Sequence, residues 1–168
     1  MKHVRTAAII MHQNKILLHS NQEEDYWTLP GGAVEKESTK EGLKREMKEE
    51  LGEDVAILEL SIIAENRFLY RGEEIDSIEF YYAVKLLPES SLLNQPTFIK
   101  IEEFGQYGEE AYKLHFKWFD IDKLKNITIL PTFLETELAN LSRKNILHLN
   151  RQHKKSHEIF TFRGILFN

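Results

Sequence analysis

Six glutamates, Glu35, Glu37, Glu41, Glu46, Glu49 and Glu50, crowd between Gly31 and Gly52 in the stretch GGAVEKESTKEGLKREMKEELG. On an α-helix, positions i, i+3 and i+4 share a face, so Glu46, Glu49 and Glu50 project together. Like charges at that spacing repel, and an isolated helix is weaker for it. Three carboxylates converging on one spot make physical sense around a hard divalent cation such as Mg2+ or Mn2+. The chain has no cysteine, which removes disulfides, zinc-thiolate sites and thiol nucleophiles. A solvent-facing helix laced with salt bridges would show the same charge pattern. The flanking glycines and Glu37 are what set this stretch apart.

A helix must hold these acids, and the sequence supplies one. Ser38 is an expected N-cap, and Glu41 three residues on completes a capping box. Leu43, Met47 and Leu51 recur at i, i+4 and i+8 as a packing stripe, and Gly52 is the expected stop. One face therefore packs and another presents carboxylates. Upstream, Val4–Met11 and Ile16–Leu18 flank turn residues His12 to Lys15 and read as a β-hairpin. Residues 21–25 form a polar loop, and Tyr26–Leu29 reads as a short strand stopped by Pro30, Gly31 and Gly32.

Downstream, Val55–Tyr70 and Ile75–Leu87 are extended segments, rich in aromatic and β-branched residues, joined by a turn at 71–74. Pro88–Gly108 is the longest irregular region, and a connection of that length is often functional. Lys113–Phe119 alternates as a further strand, and Asp120–Leu124 is a short helical turn. Pro131 opens a helix to about Leu141 with Leu134, Leu138 and Leu141 on one side. Ile159–Phe162 and Ile165–Phe167 suggest a terminal hairpin about Arg163 and Gly164. Strands on both sides of one mid-chain helix, followed by a late helix, imply an α/β fold with a mixed sheet covered on two faces.

At 168 residues, 42% apolar and 29% charged, the chain has the composition of one globular domain, with residues 143–168 as a basic C-terminal extension. The only early apolar run, AAIIM, is too short for a membrane span or a signal-peptide core, which points to a cytoplasmic protein with no membrane partner. Residues 1–142 carry 16 Lys and Arg against 26 Asp and Glu, whereas the tail from Arg143 has six basic residues and one acid. An acidic body argues against nucleic acid as a partner, and basic runs at termini are commonly solvated. No Ser-His-Asp arrangement or Walker loop is visible, and Gly31-Gly32 before an acidic helix is wrong for an unassisted phosphate cradle.

The stretch resembles the signature of the Nudix hydrolases, Gly-x5-Glu-x7-Arg-Glu-apolar-x-Glu-Glu-x-Gly-apolar. Gly31, Glu37, Arg45, Glu46, Met47, Glu49, Glu50 and Gly52 fall at its positions. The last apolar position is Glu53, a departure. The family usually opens the signature on the second of two glycines; here the first keeps the count, and the loop to Glu37 is one residue short. Trp27-to-Gly32, Glu65–Phe68 with the following hairpin, and Lys117–Leu124 are similar to flanking segments of the family, so the resemblance runs over about residues 4–142.

The resemblance implies an α/β/α sandwich with the signature helix and a C-terminal helix on opposite faces of a mixed sheet. It implies a pyrophosphohydrolase in which water attacks a phosphorus of a nucleoside diphosphate linked to another moiety, assisted by Mg2+ or Mn2+. ADP-ribose, nucleotide sugars and nucleoside triphosphates are the substrate classes. Glu49 and Glu50 are metal ligands on this reading, Glu46 is a ligand or the base that orients water, and the Gly31 or Gly32 carbonyl completes the shell. Arg45 lies one position off the metal face and is expected to pair with Glu37 and orient the loop. A loop acid from Glu102, Glu103, Glu109 and Glu110, with Glu110 favoured, would assist. Arg5 and Arg67 are candidates for phosphate oxygens, and Tyr26, Phe68 and Tyr70 for stacking on a base, although aromatics in strands are more often core. His115 reads as structural, while His148, His153 and His157 lack helix-face spacing. The family frequently forms homodimers. A catalytically silent nucleotide-binding module is the alternative, opposed by the intact set of mutually repelling acids.

Overall fold

The computed structural model describes residues 2–20, 25–70, 73–102, 112–141 and 146–152. Among them, strands β1 (His3–His12), β2 (Lys15–Ser20), β3 (Gly31–Ala33), β4 (Val55–Tyr70), β5 (Glu73–Leu86), β6 (Thr97–Glu102), β7 (Tyr112–Asp120) and β8 (Leu147–Gln152) form one mixed sheet. Its order is β6-β7-β2-β1-β5-β4-β8, with β3 beside β1. Two helices, α1 (Thr39–Leu51) and α2 (Phe133–Ala139), and 3-10 turns at Ser91–Asn94 and Ile121–Asn126 complete the described elements.

The β1–β2 hairpin turns on Gln13 and Asn14, with φ of 47° and 60°, the left-handed pair that a two-residue hairpin requires. β1 then determines where everything else goes. One edge pairs in parallel with β5 over His3–Ile10. The other edge is shared: Met11 and His12 pair with β2, while Arg5, Thr6 and Ala7 pair with β3. The sheet opens between β1 and β2, and the short β3 strand lies in that opening just before α1.

Alternation along β1 separates two cores. Ala8 and Ile10 join Leu17, Tyr82 and Val84 against Leu43, Met47 and Leu51 of α1. Ala7 and Ile9 join Leu18, Ala64 and Tyr81 against Phe133, Leu134 and Leu138 of α2. The two helices therefore cover opposite faces, which is the expected sandwich. Ser38 caps α1 as its sequence predicts: its side chain accepts from the Glu41 N–H, and the Glu41 carboxylate accepts from the Ser38 N–H. Gly52 ends the helix in the left-handed conformation at φ 72°.

Four expectations need correction. Tyr26–Leu29 is not a strand; it makes isolated bridges at Thr28 to His19 and at Trp27 to Ile129, its hydrogen bonds divided between two neighbours. The strand lies further on, through the glycines that were expected to stop it. Within the expected irregular region, Thr97-Phe98-Ile99-Lys100-Ile101-Glu102 is the edge strand β6, where Phe98 stacks on Phe116 with ring centroids 5.0 Å apart. The tail is not all solvated: Leu147–Gln152 pairs in parallel with β4. Helix α2 starts at Phe133 rather than Pro131 and ends at Ala139. The expected terminal hairpin lies outside the described residues. Replacing the cap, Ser38→Ala, should cost about 1 kcal/mol, read as a lowered urea midpoint with an unchanged slope.

Candidate active site

Helix α1 carries its acids in two different environments. Glu46 and Glu50 are 5% and 1% exposed, whereas the Glu49 side chain is 48% exposed. The two buried acids lie against β3. The Gly31 N–H donates to Glu50 Oε2 at 2.9 Å. At Gly32 a Cβ would lie only 2.4–2.6 Å from the Glu46 carboxylate. At Gly31 a Cβ would come within 2.2 Å of the Thr6 carbonyl oxygen, and φ there is +140°. Only glycine fits at Gly31, and at Gly32 a side chain would displace the Glu46 carboxylate, so the pair of glycines is the seat on which two carboxylates rest.

Arg45 gathers the remaining groups. Its Nη2 donates to Glu37 Oε1 at 2.9 Å and to the Ala33 carbonyl at 2.9 Å, and its Nε reaches Glu37 Oε1 at 3.3 Å. Its Nη1 donates to Glu46 Oε1 at 2.6 Å and to Glu49 Oε2 at 3.2 Å. Glu37 in turn accepts from the Glu35 and Lys36 N–H groups at 3.4 and 3.1 Å. The shortened loop thus still delivers Glu37 to Arg45. Arg45 is more than a brace for that loop, because its fork also spans the acid face. Glu46, Glu49 and Glu50 correspondingly do not converge: among the described residues no three His, Asp or Glu side chains form a ready cage for a metal ion. Repulsion separates them, with Glu50 held at Gly31 and Glu46 and Glu49 drawn to Arg45.

The electrostatics follow this geometry. Burial alone would lower the Arg45 pKa, but the hydrogen bonds to Glu37 and Glu46 and the nearby charges outweigh it, so the guanidinium stays firmly protonated. The Arg45 hydrogen bond is the main cause that holds the Glu37 carboxyl below its ordinary range.

The other candidates are dispersed. Arg5, a candidate for phosphate, donates through Nη2 to the carbonyls of Leu29 and Gly31 at 3.1 and 3.4 Å. Arg67 pairs with Glu74 at 3.4 Å and Asp76 at 3.8 Å on the β4–β5 hairpin. Phe68 is buried with Ile75 and Leu130, against Tyr26, and is core rather than an open stacking face. His148 lies 3.3 Å from Glu65. The side chains of Tyr70 and Glu102, and Glu103, Glu109, Glu110, His153 and His157 altogether, lie outside the described residues.

One group escaped the sequence reading. Glu79 is 2% exposed and accepts from Ser77 Oγ at 2.9 Å, from Asn66 Nδ2 at 3.4 Å and from the Tyr81 hydroxyl. Burial, and then the Glu79 charge, push the Tyr81 hydroxyl pKa up. The signal was present as Ser77, Glu79 and Tyr81 at period two, hidden in a strand dominated by aromatic residues.

A family model described as NUDIX domain matches residues 1–144. The chain belongs to the Nudix family. It is accordingly a hydrolase of phosphorus-containing anhydrides. No curated protein matches the chain in sequence. Among solved structures, an ADP-ribose pyrophosphatase from Streptococcus suis is similar at 19% identity and a TM-score of 0.58, over 90% of this chain and 100% of that one. A UDP-X diphosphatase is similar at 23% identity and a TM-score of 0.57, over 88% and 67%. A MutT protein from Bacillus halodurans is similar at 21% identity and a TM-score of 0.55, over 87% and 86%. At these identities the likeness is one of fold. Among the described residues, no helix of this Nudix protein is long and apolar enough to cross a membrane.

Two outcomes test the site's construction. Gly31→Ala should cost about 3 kcal/mol or more, since backbone must move, while Gly32→Ala should fold with Glu46 displaced; chemical denaturation and the Glu46 side-chain NMR signals check this. Because the Glu37 pKa is depressed, its contribution is complete above the ordinary glutamate range and lost as pH falls through and below it. Glu37→Gln should therefore flatten the acid limb of the stability–pH curve.

Proposed function

We infer that this Nudix enzyme hydrolyses the diphosphate linkage of a nucleoside diphosphate joined to another moiety, using water as nucleophile and Mg2+ or Mn2+ as cofactor. The observation that carries this is the pair of buried carboxylates, Glu46 and Glu50, seated on Gly31 and Gly32 beside Arg45. Burying carboxylates costs several kcal/mol per ion unless compensated, in rough terms. Around one guanidinium stand three carboxylates, Glu37, Glu46 and Glu49, so negative charge is in excess there. An all-oxygen, anionic donor set fits a hard divalent cation and suits no softer metal.

Glu46, Glu49, Glu50 and the Gly31 carbonyl would hold the cation, which supplies charge neutralisation for a pyrophosphate and lowers the pKa of a water. The protein's own groups do the rest. Arg45 orients Glu46 and Glu49 through one nitrogen, and locks the loop through the other two. Gly31 fixes the Glu50 carboxylate. Glu46, the acid nearest Arg45, orients or deprotonates the attacking water, and the acceleration comes from positioning and electrostatics rather than from a covalent intermediate.

The substrate class draws support from structures of similar fold named as an ADP-ribose pyrophosphatase and a UDP-X diphosphatase. ADP-ribose and nucleotide sugars therefore come ahead of nucleoside triphosphates. We further take the protein to be a single-domain cytoplasmic enzyme over residues 1–168, acting on a small molecule and not on nucleic acid. Assaying ADP-ribose, nucleotide sugars and nucleoside triphosphates with Mg2+ and with Mn2+ should give metal-dependent release of a nucleoside monophosphate from the first two. Glu49→Gln and Glu50→Gln should each lower kcat by about 100-fold, the several kcal/mol expected of metal-derived stabilisation. Undiminished turnover in both variants would overturn the ligand assignment, and nucleotide binding without turnover in the unmodified chain would mark a silent module.

A further inference from the structure

The peptide that presents its N–H to Glu50 is held from every side by groups outside its own loop. Its carbonyl, Pro30 O, accepts from the Ala8 N–H at 2.8 Å. Its N–H, on Gly31, donates to Glu50 Oε2 at 2.9 Å. The carbonyls of the peptides before and after it, on Leu29 and Gly31, both accept from Arg5 Nη2, at 3.1 and 3.4 Å. A single nitrogen of Arg5 thus straddles the peptide. Local preference could not fix this conformation, because glycine, here at φ +140°, has little conformational bias of its own.

Arg5 itself has an anchor. It shares a face of β1 with Ala7, which packs in the α2-side core, and in the parallel register it stands beside Glu79 of β5. Glu79 is buried and hydrogen-bonded to Ser77, Asn66 and Tyr81, so its carboxyl group is fixed in place.

We propose that Arg5 is a positioning residue for the acid face: anchored beside Glu79, it locks the Leu29–Gly31 backbone so that the Gly31 N–H aims Glu50. This rests on the reading of Glu50 as a metal ligand. It assigns to Arg5 no contact with substrate, and it gives the buried Glu79 set a task that neither helix packing nor the α1 acids supply. Lysine could offer one nitrogen to both carbonyls, but it lacks the planar, preorganised guanidinium that places Nη2 between them.

The test uses the full chain and two variants, Arg5→Met and Arg5→Lys. In the metal-free protein, hydrogen exchange of the Gly31 amide should accelerate at least tenfold in Arg5→Met and less in Arg5→Lys. Titration with Mn2+, followed by loss of the free-ion EPR signal, should show a midpoint raised about 10-fold in Arg5→Met, the scale seen when a group supporting a ligand is removed, with partial rescue in Arg5→Lys. Substrate KM at saturating Mn2+ should stay within about twofold. A raised KM with unchanged exchange and Mn2+ midpoint would overturn the proposal and return Arg5 to phosphate binding. Unchanged values throughout would overturn it as well. Should Arg5→Met fail to fold, Arg5→Lys carries the same comparison. Glu50→Gln separates the two levels: if it leaves the Mn2+ midpoint unmoved, the metal reading fails, while Gly31 exchange still reports whether Arg5 holds the peptide.

Discussion

Two carboxylates pressed against two glycines set the terms for the rest of this molecule. Glu46 and Glu50 are almost wholly removed from water, and a buried carboxylate without partners would rather take up a proton or unfold its surroundings. Each of the neighbouring features offsets part of that cost. The Gly31 N–H donates to one acid and Arg45 to the other; the missing Cβ at Gly32 makes room for the Glu46 carboxylate, and the missing Cβ at Gly31 lets β3 approach β1. A side chain at Gly31 would push β3 off β1, and one at Gly32 would push Glu46 off its seat.

Holding the acids also means holding the helix that carries them, against repulsion at i, i+3 and i+4. Three things do so. The capping box at Ser38 and Glu41 satisfies exposed N–H groups at the start. The Leu43, Met47 and Leu51 stripe is buried against Ala8, Ile10, Leu17 and Val84; at roughly 1.5–3 kcal/mol per fully buried side chain, this exceeds the repulsion, which is a few tenths of a kcal/mol per pair. Arg45 then turns part of the repulsion into attraction by accepting Glu37, Glu46 and Glu49 as neighbours. Its i,i+4 relation to Glu49 alone would contribute little on an open surface; its value here lies in fixing four acceptors with one rigid fork.

What could be read from the residues beforehand divides along the same line. The cap, the apolar stripe and the C-terminal glycine were legible because each is a local pattern at fixed spacing, and the Arg45–Glu37 pair was legible through the resemblance of the signature. The two-faced sandwich was legible because strands stand on both sides of one mid-chain helix and a second helix follows them. The β3 strand was not, since Gly-Gly reads as a breaker; its pairing with Thr6 and Ala7 comes from a tertiary approach so close that only glycine permits it. Strand β6 was obscured by Pro96 and by its own edge character, with Ile99 and Ile101 facing outward where a core pattern would have shown them buried. Strand β8 lies in a basic tail whose charge suggested solvent. Helix geometry states which side chains share a face, but not that a neighbouring arginine will draw two of the acids to itself.

The acids supply the chemistry of this site, yet their positions are not set by the helix alone. Thirteen residues of α1 bring Glu46 and Glu50 to the sheet, but where each carboxylate comes to rest depends on β3, a strand with hardly any side chains of its own. A strand of glycines has no packing to define it and must be located by its neighbours. Backbone pairing with β1 does this for Gly31 and Gly32, and Arg5 does it for the carbonyls on either side of Pro30. Arg5 lies on the sheet face opposite α1, beside the hydrogen-bonded Glu79. The constraint on the acid face therefore passes through the sheet, and residues with no chemical part in the reaction share in its precision. That is why the least decorated part of the signature, two glycines, is also the part least free to change.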